Sequence, residues 1–181
     1  MKRYILTGTP GCGKTSIIRS LELDGCCVVE EAATDIIALR QAQGIAEPHT
    51  DASFIDDITN LQQQRQTQTA GPSSAVQFYD RSPLCTYALS RWLGFPISKT
   101  LADEMERIRA EQIYQKQVFF IENLGFCEPT QARKITFEDS LRFEKLHEET
   151  YRDFGYECIR IAPLELDSRV EQIKQYVSAL D

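Results

Sequence analysis

The stretch Tyr4 to Ser16, YILTGTPGCGKTS, limits what this chain can be more than any other part of it. Apolar residues lead into a glycine-rich turn, which runs into Lys14, the hydroxyls of Thr15 and Ser16, and then Ile17 and Ile18. Gly8, Gly13, Lys14 and Thr15 complete the pattern G-x-x-x-x-G-K-[ST]. Each residue type in it has a task. Glycines let successive backbone N–H groups turn inward onto phosphate oxygens, and the following helix adds its positive end. The lysine reaches the terminal phosphates, and the threonine hydroxyl is offered to Mg²⁺. A strand before the loop and a helix after it are the context this needs. The apolar run before Gly8 and the Ile17-Ile18-Leu21 face after Lys14 meet that need. Cys12 sits inside the loop. A helix N-terminus lowers a thiol pKa, which would suit a redox switch; the simpler reading is that the position takes only something small.

Beyond the loop, short apolar runs alternate with helical patterns. RYILT (3–7), CCVVE (26–30), AVQFYD (75–80), QVFFIE (117–122) and ECIRIA (157–162) read as buried strands. Between them, Lys14 to Glu22 reads as a helix. Ser82 followed by Pro83 reads as the cap and first residue of a second, closed by Gly94. Thr100 with Asp103 predicts a capped start for a helix running from Leu101 to Tyr114. Thr136 with Asp139 predicts one carrying Phe143, Leu146, Thr150 and Phe154, with Glu138–Arg142 and Glu148–Arg152 pairs on its wet face. Strands separated by helices form parallel sheets through right-handed crossovers. The expected fold is α/β, a three-layer α/β/α sandwich around a five-stranded parallel sheet, with residues 1–181 as one domain. The segment 41–74 fits least well. It reads as one long polar helix with Phe54, Ile58 and Leu61 on an apolar stripe, or as a flexible linker.

Composition narrows the partners. A net charge of −7 argues against nucleic acid and membrane surfaces, which are held by clustered Lys and Arg. No apolar run approaches the roughly 20 residues of a membrane span, and the start MKRYILTG lacks the apolar core of about 7 to 15 residues that a secretory signal needs. The six cysteines form neither a C-x-x-C pair nor a zinc spacing, which suits reduced thiols in the cytoplasm.

Ligands of open parallel sheets bind at the carboxyl ends of the strands, so strand-end residues are the candidates for chemistry. Asp80 ends the third run and is suited to hold Mg²⁺ through water; Arg81 beside it can grip an acceptor or a phosphate. Glu30 and Glu31 end the second run and face the same rim, where one of them can act as base on a hydroxyl. Alternatively they are only first-turn acids of the next helix. Glu122 ends the fourth run and competes with Asp80 as the metal's acid. The stretch NLGFCEPTQARK (123–134) lies where a closing lid would sit, and its Arg133 and Lys134 are candidate charge-stabilising donors. Arg142 is weaker, with Glu138 as a helical partner. A guanine reader of the form N-K-x-D is absent, and a motor would need more chain than this. A kinase acting on a small molecule fits best, with an ATPase or switch acting on a protein partner as the alternative.

TGTPGCGKTS, VVEEAATDII, YDRSPLCTYAL and the C-terminal ITFEDSLRFEKLHEETYRDFGYECIRI, taken in that order, resemble the small AAA-labelled P-loop ATPase/kinase family that includes the nicotinamide riboside kinase domain. That family lies near the thymidylate and deoxynucleoside kinases. The resemblance implies ATP with Mg²⁺ and phosphate transfer to a small, nucleoside-like hydroxyl acceptor. It carries Gly8, Gly11, Gly13, Lys14, Thr15 and Ser16 over as nucleotide-binding residues, and Cys12 is counted with them as a residue of the same loop. Thr15 and Asp80 would hold the metal, Arg81 the substrate, and Glu31 would be the acid after the second strand. Ala162 and Pro163 would flank the base.

Overall fold

A computed structural model of the chain describes residues 1–68, 75–125 and 136–179. All five apolar runs are strands: β1 (Lys2–Thr7), β2 (Cys27–Val29), β3 (Val76–Asp80), β4 (Gln117–Ile121) and β5 (Glu157–Ile161). They form a parallel sheet in the order β2-β3-β1-β4-β5. The expected α/β architecture is therefore the observed one. Because β1 is central, the loop that follows it opens at the middle of the sheet's carboxyl edge. The β1–β3 register sets Asp80 opposite Leu6, one residue before the end of β1.

Alternation along the strands divides the core in two. Tyr4, Leu6, Phe78 and Phe119 face helices α1 (Lys14–Leu23) and α7 (Leu166–Ala179), which contribute Ile17, Ile18, Leu21, Val170 and Ile173. Ile5, Tyr79 and Val118 face the other way. They pack on α4 (Pro83–Trp92), α5 (Lys99–Ala110) and α6 (Phe137–Asp153) through Leu84, Leu101, Met105, Ile108 and Tyr151. These are the two helical layers.

Thr136 caps α6 as expected, its hydroxyl accepting from the Asp139 N–H at 3.1 Å. The α5 cap differs from the expectation. Ser98, not Thr100, accepts from the Leu101 N–H at 3.1 Å, and the helix starts two residues earlier and ends at Ala110. Ser98 also donates to Asp56 at 2.5 Å, so a tertiary bond selects the earlier cap. The buried stripe of α6 also differs, running through Phe143, His147, Thr150 and Tyr151 with Leu146 only half-buried.

Within 41–74, a short 3-10 turn at Pro48–Thr50 precedes α3 (Ser53–Gln68). Phe54 and Ile58 of α3 pack on Ala32 and Ile36 of α2 (Ala32–Ala42). Arg40 joins the two helices, donating to Asp57 at 2.8 Å and Ser53 at 2.8 Å. The described part of the segment is thus a helical wall packed on the domain. Among the described residues, no helix is long and apolar enough to cross a membrane.

Candidate functional site

The loop after β1 is shaped by positions only glycine suits. Gly8 has φ +129°, and a Cβ there would lie 2.3 Å from the Ile121 carbonyl oxygen of β4. Gly13 has φ +86° and lies against Arg169, whose Nη1 would be 2.9 Å from an added Cβ. Lys14 is buried and folds back on the loop, its Nζ donating to Gly8 O at 3.0 Å and Thr9 O at 2.8 Å. Reaching a phosphate would exchange these carbonyls for charged oxygens, which bind a cation more strongly. The Cys12 side chain is fully buried in the core under the loop, where its sulfur accepts from the Lys14 Nζ at 3.4 Å.

A cavity of about 200 Å³ opens beside this loop, lined by Gly11, Gly13, Lys14, Thr15, Glu31, Asp80 and Arg81. Gly8, Cys12 and Ser16 lie outside its lining; Ser16 is exposed on the first turn of α1. Arg133 and Lys134 fall outside the described residues.

Asp80 is buried, and its Oδ1 has no hydrogen-bond partner. Burial pushes this carboxyl up to about 6. Glu31 and Cys85 push it the same way, while the positive charges of Lys14 and Arg81 work against the rise. An orphaned buried carboxylate oxygen at a cavity also lined by a threonine fits a magnesium ion, which takes one or two protein ligands and fills the rest of its shell with water and phosphate. Among the described residues, no group of three or more acidic, histidine or cysteine side chains could hold a metal by itself.

Arg81 adopts a left-handed backbone, φ +71°, uncommon for any residue but glycine. Its N–H extends the ladder by donating to Leu6 O at 3.0 Å. Its guanidinium turns to Glu31, with Nε donating to Oε1 at 2.5 Å. Burial opposes the guanidinium charge, but the Glu31 carboxylate outweighs it and pushes the pKa up. Glu31 Oε2 accepts from the Thr34 hydroxyl at 2.6 Å. The backbone beneath is fixed as well, since Arg65 of α3 donates to Glu30 O at 3.0 Å and Glu31 O at 2.9 Å. Glu30 does not share the rim: its side chain pairs with Arg19. Glu122 pairs with Arg160 at 3.1 Å, and Arg142 with Glu138 at 2.7 Å. Pro163 is exposed between β5 and α7.

A second cavity, of about 370 Å³, lies on the other side of the Glu31–Arg81 pair, which lines both. Its walls come from α2, α3, α4 and α6, with Ile37, Phe54, Ile58, Leu89, Trp92 and Phe143 as apolar surfaces and Gln62 and His147 as polar ones. Pro48, His49 and Phe54 belong to the segment that sequence reading placed least well; they frame this space without filling it. Asp80 does not reach it.

Two groups escaped sequence reading. Arg169 of α7 is buried, and its Nη1 donates to Cys12 O at 3.0 Å, fixing the peptide that carries the Gly13 N–H. An arginine on the stripe Arg169, Val170, Ile173, Val177 was the available signal. The other group is Cys85, His147 and Tyr151, whose members lie on two helices and show no local pattern.

Fold and loop together define a phosphate-binding α/β protein of the P-loop class. The AAA domain family matches residues 3–169, and the chain belongs to that family, in line with the sequence resemblance. No curated protein matches it. Among solved structures, it is similar to deoxyadenosine kinase from M. mycoides. The form with bound dCTP is 13% identical, with a TM-score of 0.62, covering 99% of this chain and 100% of that one. The form with bound dATP is 12% identical, with a TM-score of 0.60, covering 98% and 100%. At such identity the likeness is one of fold.

Proposed function

We propose that this protein is an ATP- and Mg²⁺-dependent kinase that transfers the terminal phosphate to a hydroxyl of a small, nucleoside-sized acceptor. The observation that carries the reading is the pair of cavities joined at Glu31 and Arg81. A switch needs only the first cavity; a transferase needs both, meeting at groups that handle a proton and a charge. The likeness to deoxyadenosine kinase supports a nucleoside as the class of acceptor.

In this reading the backbone of Gly11 and Gly13 and the Lys14 ammonium bind the donor phosphates, with Gly8, Cys12 and Ser16 completing the loop. Thr15 and Asp80 would hold Mg²⁺, which would neutralise charge on the phosphates when bound. Glu31 accepts the acceptor's hydroxyl proton as that oxygen attacks. Thr34 and Arg81 orient the carboxylate, and Arg81 remains charged where negative charge accumulates. Arg133 is proposed as a further donor closing over the phosphate. The apolar walls of the larger cavity exclude water, which would otherwise compete as acceptor.

The test is a panel of nucleosides, nicotinamide riboside included, incubated with ATP and Mg²⁺ and assayed for phosphorylated product. Glu31→Gln serves as the control. It should lower transfer by about 100-fold or more and leave ATP-dependent melting unchanged. Transfer unaffected by Glu31→Gln would refute the base. ATP hydrolysis with no product from any hydroxyl compound would refute the kinase reading.

A further inference from the structure

Cys85 is the third residue of α4, in the first turn, where the helix dipole favours a negative sulfur. Two hydroxyls reach it: Thr7 Oγ1 at 3.3 Å and Tyr151 OH at 3.1 Å. Tyr151 OH also lies 2.9 Å from Ser82 Oγ. The protons can therefore run one way, Ser82 donating to Tyr151 and Tyr151 to the sulfur, with Thr7 donating from the other side.

The fourth neighbour is His147, facing Cys85 from α6. Its Nδ1 lies 2.9 Å from Phe143 O, a carbonyl that can only accept, so Nδ1 carries the ring proton. Nε2 is left as a lone pair, buried and without a hydrogen-bond partner. His147 is 1% exposed and Cys85 3%, yet both line the larger cavity. An orphaned buried acceptor is expensive to keep. Here it stands beside a thiol at a cavity wall.

Other charges around the sulfur are Arg81, which favours a thiolate, and Asp80 and Glu31, which oppose it. Burial by itself raises the thiol. The neighbouring His147, followed by Arg81 and the Thr7 hydroxyl, outweighs burial and brings Cys85 down to about 5. Burial and the neighbouring sulfur push Tyr151 well above its ordinary value, so its hydroxyl keeps its proton and can donate it to the sulfur. Burial pushes Cys158 up to about 11 and raises Cys26.

We infer that Cys85 is a peroxide-reactive site, its sulfur oxidised to a sulfenic acid at the wall of the larger cavity with His147 as the proton carrier. The thiol proton passes to His147 Nε2. A sulfur electron pair forms the S–O bond as the O–O bond of the hydroperoxide breaks, oxidising sulfur by two electrons and reducing the peroxide by two. The departing hydroxide (or alkoxide) takes the proton back from Nε2 and leaves as water (or alcohol). Hydrogen peroxide is close to water in size and enters a cavity of this volume freely. The site stands on the cavity and the Cys85–His147 pair, and holds whatever the acceptor of phosphate is.

The experiment treats the full chain at pH 6 with hydrogen peroxide and dimedone, which captures sulfenic acids, and maps adducts by peptide mass spectrometry. Cys85 should be trapped about 10-fold faster than Cys26 or Cys158, because thiols with ordinary or raised pKa values are almost wholly protonated there. His147→Gln should slow trapping at Cys85 by about 10-fold, with the melting temperature recorded alongside. If that variant does not fold, Tyr151→Phe, which removes one donor to the sulfur, should slow the same adduct. Trapping at Cys26 or Cys158 as fast as at Cys85 would overturn the inference. So would an adduct at Cys85 that forms equally fast in a folded His147 or Tyr151 variant.

Discussion

Asp80 is a carboxylate that the fold buries at a loss, so removing its charge should stabilise the protein while removing the proposed metal ligand. The unfolded chain titrates this group near 3.8, the folded one at about 6. Below about pH 4 both states hold the proton and the group is neutral to stability. As pH rises from 4 to 6 the unfolded state loses its proton first. Stability falls through this window and stays reduced above it, by about 2 to 3 kcal/mol. Asp80→Asn keeps the shape and removes the charge. In metal-free, nucleotide-free protein at pH 7.5 it should raise the melting temperature by about 4 to 10 °C for a domain of this size. The two proteins should converge near pH 4, and the gap should open between pH 4 and 6. Calorimetry across pH 4 to 8 reads this directly. MgATP should narrow the gap at pH 7.5, since it would stabilise only the protein that keeps the ligand. An Asn variant no more stable than the parent at pH 7.5, or equally more stable at pH 4, would refute the reasoning.

Lys14→Ala should abolish ATP-dependent stabilisation, worth about 2.7 kcal/mol at a ligand concentration 100 times Kd; a retained melting shift would overturn the loop assignment. Arg169→Met preserves the buried stem but frees the Cys12 carbonyl, and should weaken ATP binding about 10-fold by isothermal calorimetry as the Gly13 N–H loses its orientation. Unchanged affinity would reduce Arg169 to packing. Gly8→Ala drives a methyl toward the Ile121 carbonyl and should destabilise the fold by about 3 kcal/mol in urea melts even without ligand.

All five strands and the phosphate loop were legible because both are local in sequence. A buried parallel strand is a short β-rich run, and the loop is a fixed spacing of glycines and a lysine. The α5 cap was not legible, because Ser98 and Thr100 are both good caps and the choice falls to Asp56, 42 residues away. The α6 stripe was misread for a similar reason. His147 and Tyr151 are polar enough to suggest a wet face, and only the Ser82 and Cys85 side chains across the helix pair explain why Tyr151 faces inward. Glu30 and Glu31 are equivalent on paper. The turn into α2 points one at Arg19 and the other at Arg81, and no sequence rule separates them.

Several features that break local rules lie around the two cavities. Arg81 holds a left-handed backbone, Asp80 an unpartnered buried oxygen, His147 an unpartnered ring nitrogen, and Arg169 a buried guanidinium whose Nε lacks a partner. Each costs free energy on the order of 1 to 3 kcal/mol where it stands, and none improves the packing of the two cores. Scattered, they would read as ordinary imperfections. Instead Asp80 and Arg81 line the smaller cavity, Arg81 and His147 the larger, and Arg169 braces the loop between β1 and α1. Gln112, at φ +49°, and Arg40 Nη1, which lacks a hydrogen-bond partner, lie away from the two cavities, but four such features surround one pair of cavities, which is where binding or chemistry would return the loss. The Glu31–Arg81 pair lies where the two cavities meet, and it is the place to look for that chemistry.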